Sequence, residues 1–360
     1  MKNKIVHTFL ILCIGIAMVR CSKDNMEPLN ASITNPLYTS VFTDLSTEVI
    51  TKNYEDLNNN AITLKAAADA MTIGDEAQLT ILKDSWRAAR ASWEQSQAIS
   101  YGPIESGALS IPIDKSPVVI SEINTLLAGS APIVIDSVQA KPNVRGFHLI
   151  EYLAWGTSGN KPASDLTDRE IDLIQVAAQD IQNNTQLLYN GWKTDGDNFS
   201  ATLINAGQSG SVYTNQEDAL LAISNGLIAL ADDLSNIKIG TPYDAQVATG
   251  NGVDFEESRY SGNSLADFKN NLLSIQNIYL GKYGTADKSG LTDIVESKDM
   301  ALDTELKTAI TDAIAAVDAI PVSFSDSLAN NLPTVENAKI KIAELKSKLE
   351  TKLLPLFAAN

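Results

Sequence analysis

Cysteine and histidine are almost missing from this chain of 360 residues, with two of each. His7 and Cys13 fall in the first 20 residues, a stretch with a basic start (Lys2, Lys4) and an apolar segment, Phe9 to Val19. That segment is too short to span a bilayer and reads as an export signal. Once it is removed, Cys21 is the only thiol and His148 the only imidazole. Disulfides, zinc–thiolate sites and cysteine nucleophiles are therefore excluded, as is a zinc protease built on two histidines four apart on a helix. Basic residues are scarce as well. Without Lys2, Lys4 and Arg20, 24 basic side chains oppose 44 acidic ones, a net charge of −20. Such a field repels nucleic acid and anionic headgroups and favours cationic ligands. Alternating strand patterns are also missing.

What remains is helical. Asp75 to Ala98 is rich in helix formers. Thr167 and Glu170 make a capping box ahead of apolar positions Ile174, Ala177, Ala178 and Ile181. Near the end, Ile342, Leu345, Leu349 and Leu353 form one apolar stripe backed by lysines and glutamates. These patterns predict an all-α fold of two antiparallel bundles with a site at their interface: residues 35–193 and 213–360, joined by a Gly/Ser/Asn-rich linker at 194–212. Residues 1–20 are read as the signal and 21–34 as a tether. A second long segment, Gly240 to Ser264, reads as irregular, and long loops of this kind tend to be functional.

The chemistry concentrates in GFHLIEYLAWG, Gly146 to Gly156. A helix capped by Asn143 and ended by Gly156 puts His148 and Glu151 on one face, one turn apart. Gly146 leaves room for another backbone or a ligand. Phe147, Leu149, Ile150, Leu153 and Trp155 make the helix apolar almost all round, so the pair lies buried or at a seam. Three readings stay open: a core polar pair, a metal site that adds further carboxylates and suits hard ions such as iron, manganese or calcium, and acid–base work in which Glu151 tunes His148.

NVRGFHLIEYLAWG resembles the GxHxxE signature of the imelysin family, bacterial envelope proteins first described as insulin-cleaving membrane proteases. Two more segments are similar: Trp86, Arg90, Trp93, Glu94, Ser96, Gly102, Pro103 and Asp114 upstream, and Glu257, Ser258, Tyr260, Ser261, Asn271, Asn277 and Tyr279 in the second half. Gln97 and Lys115 depart from the pattern, which puts the edge of the site in doubt. The resemblance runs from about residue 35 to the end. Cys21, with CSKDN after it, looks like a lipidation site and tether of Bacteroidetes surface lipoproteins, although Arg20 is larger than the usual preceding residue.

The resemblance implies a two-bundle helical fold, an outer-membrane lipoprotein facing the periplasm or the surface, and a link to iron acquisition with iron-transport components as partners. Carried over by position, the metal set is His148, Glu151, Glu94 and Glu257, with Ser96 and Ser258 as further ligand-binding residues. Iron, another divalent cation or an iron-bearing molecule is the expected ligand. The alternatives are a metal-dependent peptidase using His148 and Glu151 as catalytic residues, and a structural or surface-interaction protein. Serine catalysis is disfavoured, since His148 is the sole base and no oxyanion-hole motif is visible.

Overall fold

A computed structural model of the chain describes residues 34–358, and these form one compact unit. The signal, Cys21 and the tether up to residue 33 lie outside the described residues. The fold is all-α, and among the described residues the only strands are the two-residue arms of a hairpin, Lys282–Tyr283 and Ala286–Asp287.

The chain enters through Pro36–Asp44 (α1), capped by the Asn35 side chain, and a π turn, Leu45–Ile50, leads into Thr51–Asp69 (α2). Asp75 caps Glu76–Glu94 (α3) by accepting from the Ala77 and Gln78 amides, which satisfies donors left free by the first turn. Ser110–Asp114 (α4) and Phe147–Trp155 (α5) are short. Asp168–Trp192 (α6) starts at the expected capping box, with Thr167 and Glu170 exchanging side-chain-to-backbone bonds. In the second half, Gln216–Asp232 (α7) continues through a π turn, Asp233–Lys238, into Gly240–Thr249 (α8). Ser264–Leu280 (α9), Met300–Asp318 (α10) and Leu332–Lys348 (α11) complete it.

Helices α2, α3 and α6 pack together with α5 between α3 and α6, while α7, α9, α10 and α11 form a second group. The groups meet where α9 crosses α3. One apolar core runs from Tyr38 to Phe357, and it holds the expected stripes: Ile174, Ala177, Ala178 and Ile181 in α6, and Ile342, Leu345, Leu349 and Leu353 along and beyond α11. The helical run Gln216–Thr249 is apolar and long enough to cross a membrane, yet Leu220, Ile223, Leu227 and Leu234 are spent on this core.

Two segments read as irregular contain helices. Residues 194–212 contain a helix, Phe199–Ile204, with Ser200 and Leu203 buried and Phe199 edge-on to Trp192. Residues 240–264 begin with α8 and a 3-10 turn, Gly252–Phe255, so the irregular part shrinks to Glu256–Asn263. Gly240 and Gly252 hid these elements in the sequence. Each approaches a backbone carbonyl so closely that a Cβ would sit 2.5 Å from it, Ser235 O and Pro242 O respectively. Packing, not loop freedom, sets both glycines.

Candidate functional site

The site is built on one face of α3. Trp86, Arg90 and Trp93 lie four and three positions apart, on one stripe, and all three are buried. The Trp86 indole donates to Phe147 O (2.9 Å) and fixes the start of α5, while the Trp93 indole donates to Asp114 Oδ2 (2.7 Å) and fixes the end of α4. Arg90 lies between them, fully buried.

α5 starts at Phe147, with Gly146 as its cap, rather than at Asn143, whose side-chain amide donates to Glu122 instead. Gly146 has φ +77°, and a Cβ there would lie 2.4 Å from Ile113 O. The glycine of the motif thus lets α5 press against the backbone of α4, which brings His148 beside Asp114.

His148 is buried between carboxylates on both sides of its ring. Nδ1 bonds Glu151 Oε2 at 2.7 Å. Nε2 faces Asp114 Oδ1 at 3.3 Å and Glu257 Oε1 at 3.8 Å, but is aligned for a hydrogen bond with neither. Glu151 spends its other oxygen on the second half of the chain: Oε1 accepts from the Tyr260 amide (3.1 Å), the Ser261 amide (2.9 Å) and the Ser261 hydroxyl (2.8 Å). It therefore orients the imidazole and clamps the Glu256–Asn263 loop to α5.

Charges from five stretches converge around the ring. Arg90 pairs with Glu94 (2.6 Å), Glu257 (3.1 Å), Asp267 (3.3 Å) and, at shorter range, Asp114. The contacts made by its Nε and Nη2 are ion pairs by proximity without hydrogen-bond alignment. Lys238, at the end of the π turn, reaches Glu94 (3.0 Å) and Glu257 (3.1 Å). Asn271 on α9 donates to the backbone and side chain of Glu94. Two fixed cations thus face five carboxylates (Glu94, Asp114, Glu151, Glu257, Asp267), a net of −3 with a neutral imidazole.

This excess is visible in the titration of its members. Burial pushes the Glu94 carboxyl up to about 7 despite Arg90 and Lys238, and burial likewise raises Asp267 against the pull of Arg90. Burial would raise Asp114 and Glu257 too, but Arg90 and His148 for the first, and Lys238, Arg90 and His148 for the second, hold them well below the usual carboxylate range. Burial and Arg90 work against a charged His148, yet the carboxylates of Asp114, Glu151 and Glu257 around its ring raise it well above the ordinary imidazole value. Burial and the two cations thus push the members of one cluster in opposite directions.

The structure brings His148, Glu151, Glu94 and Glu257 into one cluster, though in different roles. Asp114, His148 and Glu257 offer ligand atoms all within 4.8 Å of one another, a set that replaces Glu151 and Glu94 with Asp114. Glu151 stands on the far side of the imidazole, and Glu94 is held by Arg90, Lys238 and Asn271. The two serines face elsewhere. Ser96 donates to Trp93 O (2.7 Å), and Ser258 donates to Asp267 Oδ2 (2.5 Å), so neither hydroxyl bonds the imidazole. Asn271 and Asn277 tie α9 to Glu94 and Gln95 at the end of α3. Lys238 and Asp267 carried no local signal, since a lysine before an Ile-Gly pair and an aspartate in a first helical turn look like solvated surface.

One imidazole nitrogen and two carboxylates thus lie close together in a largely buried, net-negative cluster, a donor set of the kind that suits hard or borderline divalent cations. Over residues 50–354 the sequence matches the imelysin family model, and the chain belongs to that family. It is 28% identical over 285 residues to iron-regulated protein A of Synechococcus elongatus, covering 78% of this chain and 75% of that one. The crystal structure of an iron-regulated protein A precursor from Parabacteroides distasonis superposes with a TM-score of 0.77 at 25% identity, covering 90% of this chain and 96% of that one. An imelysin-like protein from Psychrobacter arcticum shares the fold at a TM-score of 0.70 and 15% identity, over 89% and 96% of the two chains.

Proposed function

We propose that this protein is an exported, lipid-anchored iron-handling protein that binds a divalent cation, iron foremost, through His148 Nε2, Asp114 and Glu257. The observation that carries the reading is the buried Nε2, which faces two carboxylates and bonds neither. A buried polar atom without a partner is costly, and a cation between the three groups would satisfy it. Glu151 would fix the ring and keep the Nδ1 proton, as carboxylates commonly do behind metal-bound histidines. A bound cation would add positive charge to a cluster in which five carboxylates face only Arg90 and Lys238. The "iron-regulated" names of two relatives support iron over other ions of similar size and hardness.

Calorimetry with Fe(II) under anaerobic conditions, and with Mn(II), Zn(II) and Ca(II), tests this on the chain lacking residues 1–20. Wild type is expected to bind one ion, and Asp114→Asn and His148→Ala are expected to lose at least about tenfold in affinity while keeping a cooperative melt. Flat titrations for wild type with every ion would refute direct metal binding. For the anchor, Cys21→Ser in the full-length chain is expected to move the protein from the membrane to the soluble fraction. Retention of the variant on the membrane would refute lipid attachment at Cys21.

A further inference from the structure

The two cations of the cluster are not equivalent. Arg90 is wholly buried on α3 and faces four carboxylates carried by α3, α4, the Glu256–Asn263 loop and α9, so its removal would leave several segments with uncompensated charge. Lys238 touches two carboxylates, Glu94 and Glu257, and both also pair with Arg90. When the ammonium leaves, neither carboxylate is stranded. The Lys238 side chain keeps 11% of its surface open, whereas that of Arg90 keeps none. Its backbone is fixed, because it ends the π turn, is followed by buried Ile239, and leads into Gly240, which is packed against Ser235 O. Only the four-carbon stem is free to move. Glu257 is the meeting point: Oε1 faces His148 and Arg90, and Oε2 faces Lys238.

We infer that Lys238 is a tethered cation that fills the acidic pocket until a metal ion displaces its ammonium, while Arg90 stays in place. This rests on the metal-binding reading above and adds a threshold to it. An incoming ion has to outcompete a resident positive charge that sits beside one of its own ligands, so weakly held cations are excluded and metal loading moves a side chain at the surface. The ammonium is a compact point charge on a flexible stem, which suits displacement. A guanidinium in the same place would grip both carboxylates with a rigid fork.

The test compares Mn(II) and anaerobic Fe(II) affinities of wild type, Lys238→Met and Lys238→Arg. Lys238→Met is expected to bind at least about tenfold more tightly than wild type, since a like charge near the ion is removed, and Lys238→Arg more weakly. In parallel, wild type is labelled with an amine-reactive reagent and read by mass spectrometry with and without saturating Mn(II). Lys238 labelling is expected to rise severalfold on loading, with exposed Lys269 as the unchanged control. Equal or weaker binding by Lys238→Met, or Lys238 labelling that ignores the metal, overturns the inference and leaves the metal site standing. No binding by wild type overturns both readings. If Lys238→Met fails to fold, as judged by its melt, Lys238→Arg and the labelling of wild type decide.

Discussion

Glu151 offers a way to separate orienting a ligand from being one. Its Oε1 accepts three bonds from the loop and its Oε2 one from His148 Nδ1. In Glu151→Gln the side chain has a single acceptor oxygen. Three donors on one side outweigh one on the other, so the amide oxygen turns to the loop and the NH2 group to the imidazole. With Nδ1 accepting, the neutral ring carries its one proton on Nε2, the atom that faces Asp114 and Glu257, instead of on Nδ1. The fold loses only the difference between a charged and a neutral acceptor, about 1–2 kcal/mol. Metal affinity is expected to fall by about 10- to 100-fold. Glu151→Ala removes the acceptor from all four groups and is expected to cost about 3–5 kcal/mol, releasing the loop as well. Because the chain lacking residues 1–20 has one histidine, selective 15N labelling of it gives one pair of ring signals, and these report the tautomer directly. If Glu151→Gln keeps wild-type metal affinity, or its ring carries the proton on Nδ1, the orienting role is wrong.

Three further outcomes follow from the geometry. Metal affinity should rise with pH, by about tenfold per unit while His148 remains below its raised pKa, because the ion displaces the Nε2 proton; affinity independent of pH, or proton release of zero in calorimetry, would refute it. Without metal, stability should peak near about pH 5. Asp114 and Glu257 are depressed, so their contribution is lost as pH falls below the ordinary carboxylate values. Glu94 is raised to about 7, so ionising it in place weakens the fold by about 3 kcal/mol as pH climbs from about 4.5 to 7, and the raised His148 adds a further loss above about 6.5. Melts of wild type from pH 5 to 8 should therefore decline, and Glu94→Gln should flatten the decline; a wild-type melting temperature that climbs over this range would contradict the assignment. Gly146→Ala should destabilise by about 2–4 kcal/mol in a denaturant melt, through its positive φ and the contact with Ile113 O, whereas Ser258→Ala should leave metal affinity intact.

The helices and the core stripes were legible because burial imposes a 3.6-residue period that composition cannot hide, as at Ile342, Leu345 and Leu349. The His148–Glu151 pair was legible for a related reason, as two polar side chains inside an apolar run. Their division of labour was not, since spacing shows that both share a face but not that Glu151 looks back across the ring to Ser261. Asp114 entered only through the resemblance: its helix is five residues long and carries no periodicity of its own. Lys238 and Asp267 were invisible because their partners lie on other segments, and charge pairing across a fold leaves no mark on the neighbouring residues. The Gly-rich stretches misled in the opposite direction. Glycine signals loops and tight packing alike, and only the carbonyls at Ser235 and Pro242 decide between them.

The clamp formed by Glu151 bears on timing. Asp114, His148 and Glu257 come from three separate stretches, and the last is delivered only when Tyr260 and Ser261 dock on α5. On the proposed function, a chain whose Glu256–Asn263 loop has yet to dock would offer a passing ion little more than an isolated imidazole–carboxylate pair. Capture would wait for that docking, so occupancy would double as a certificate of a completed fold.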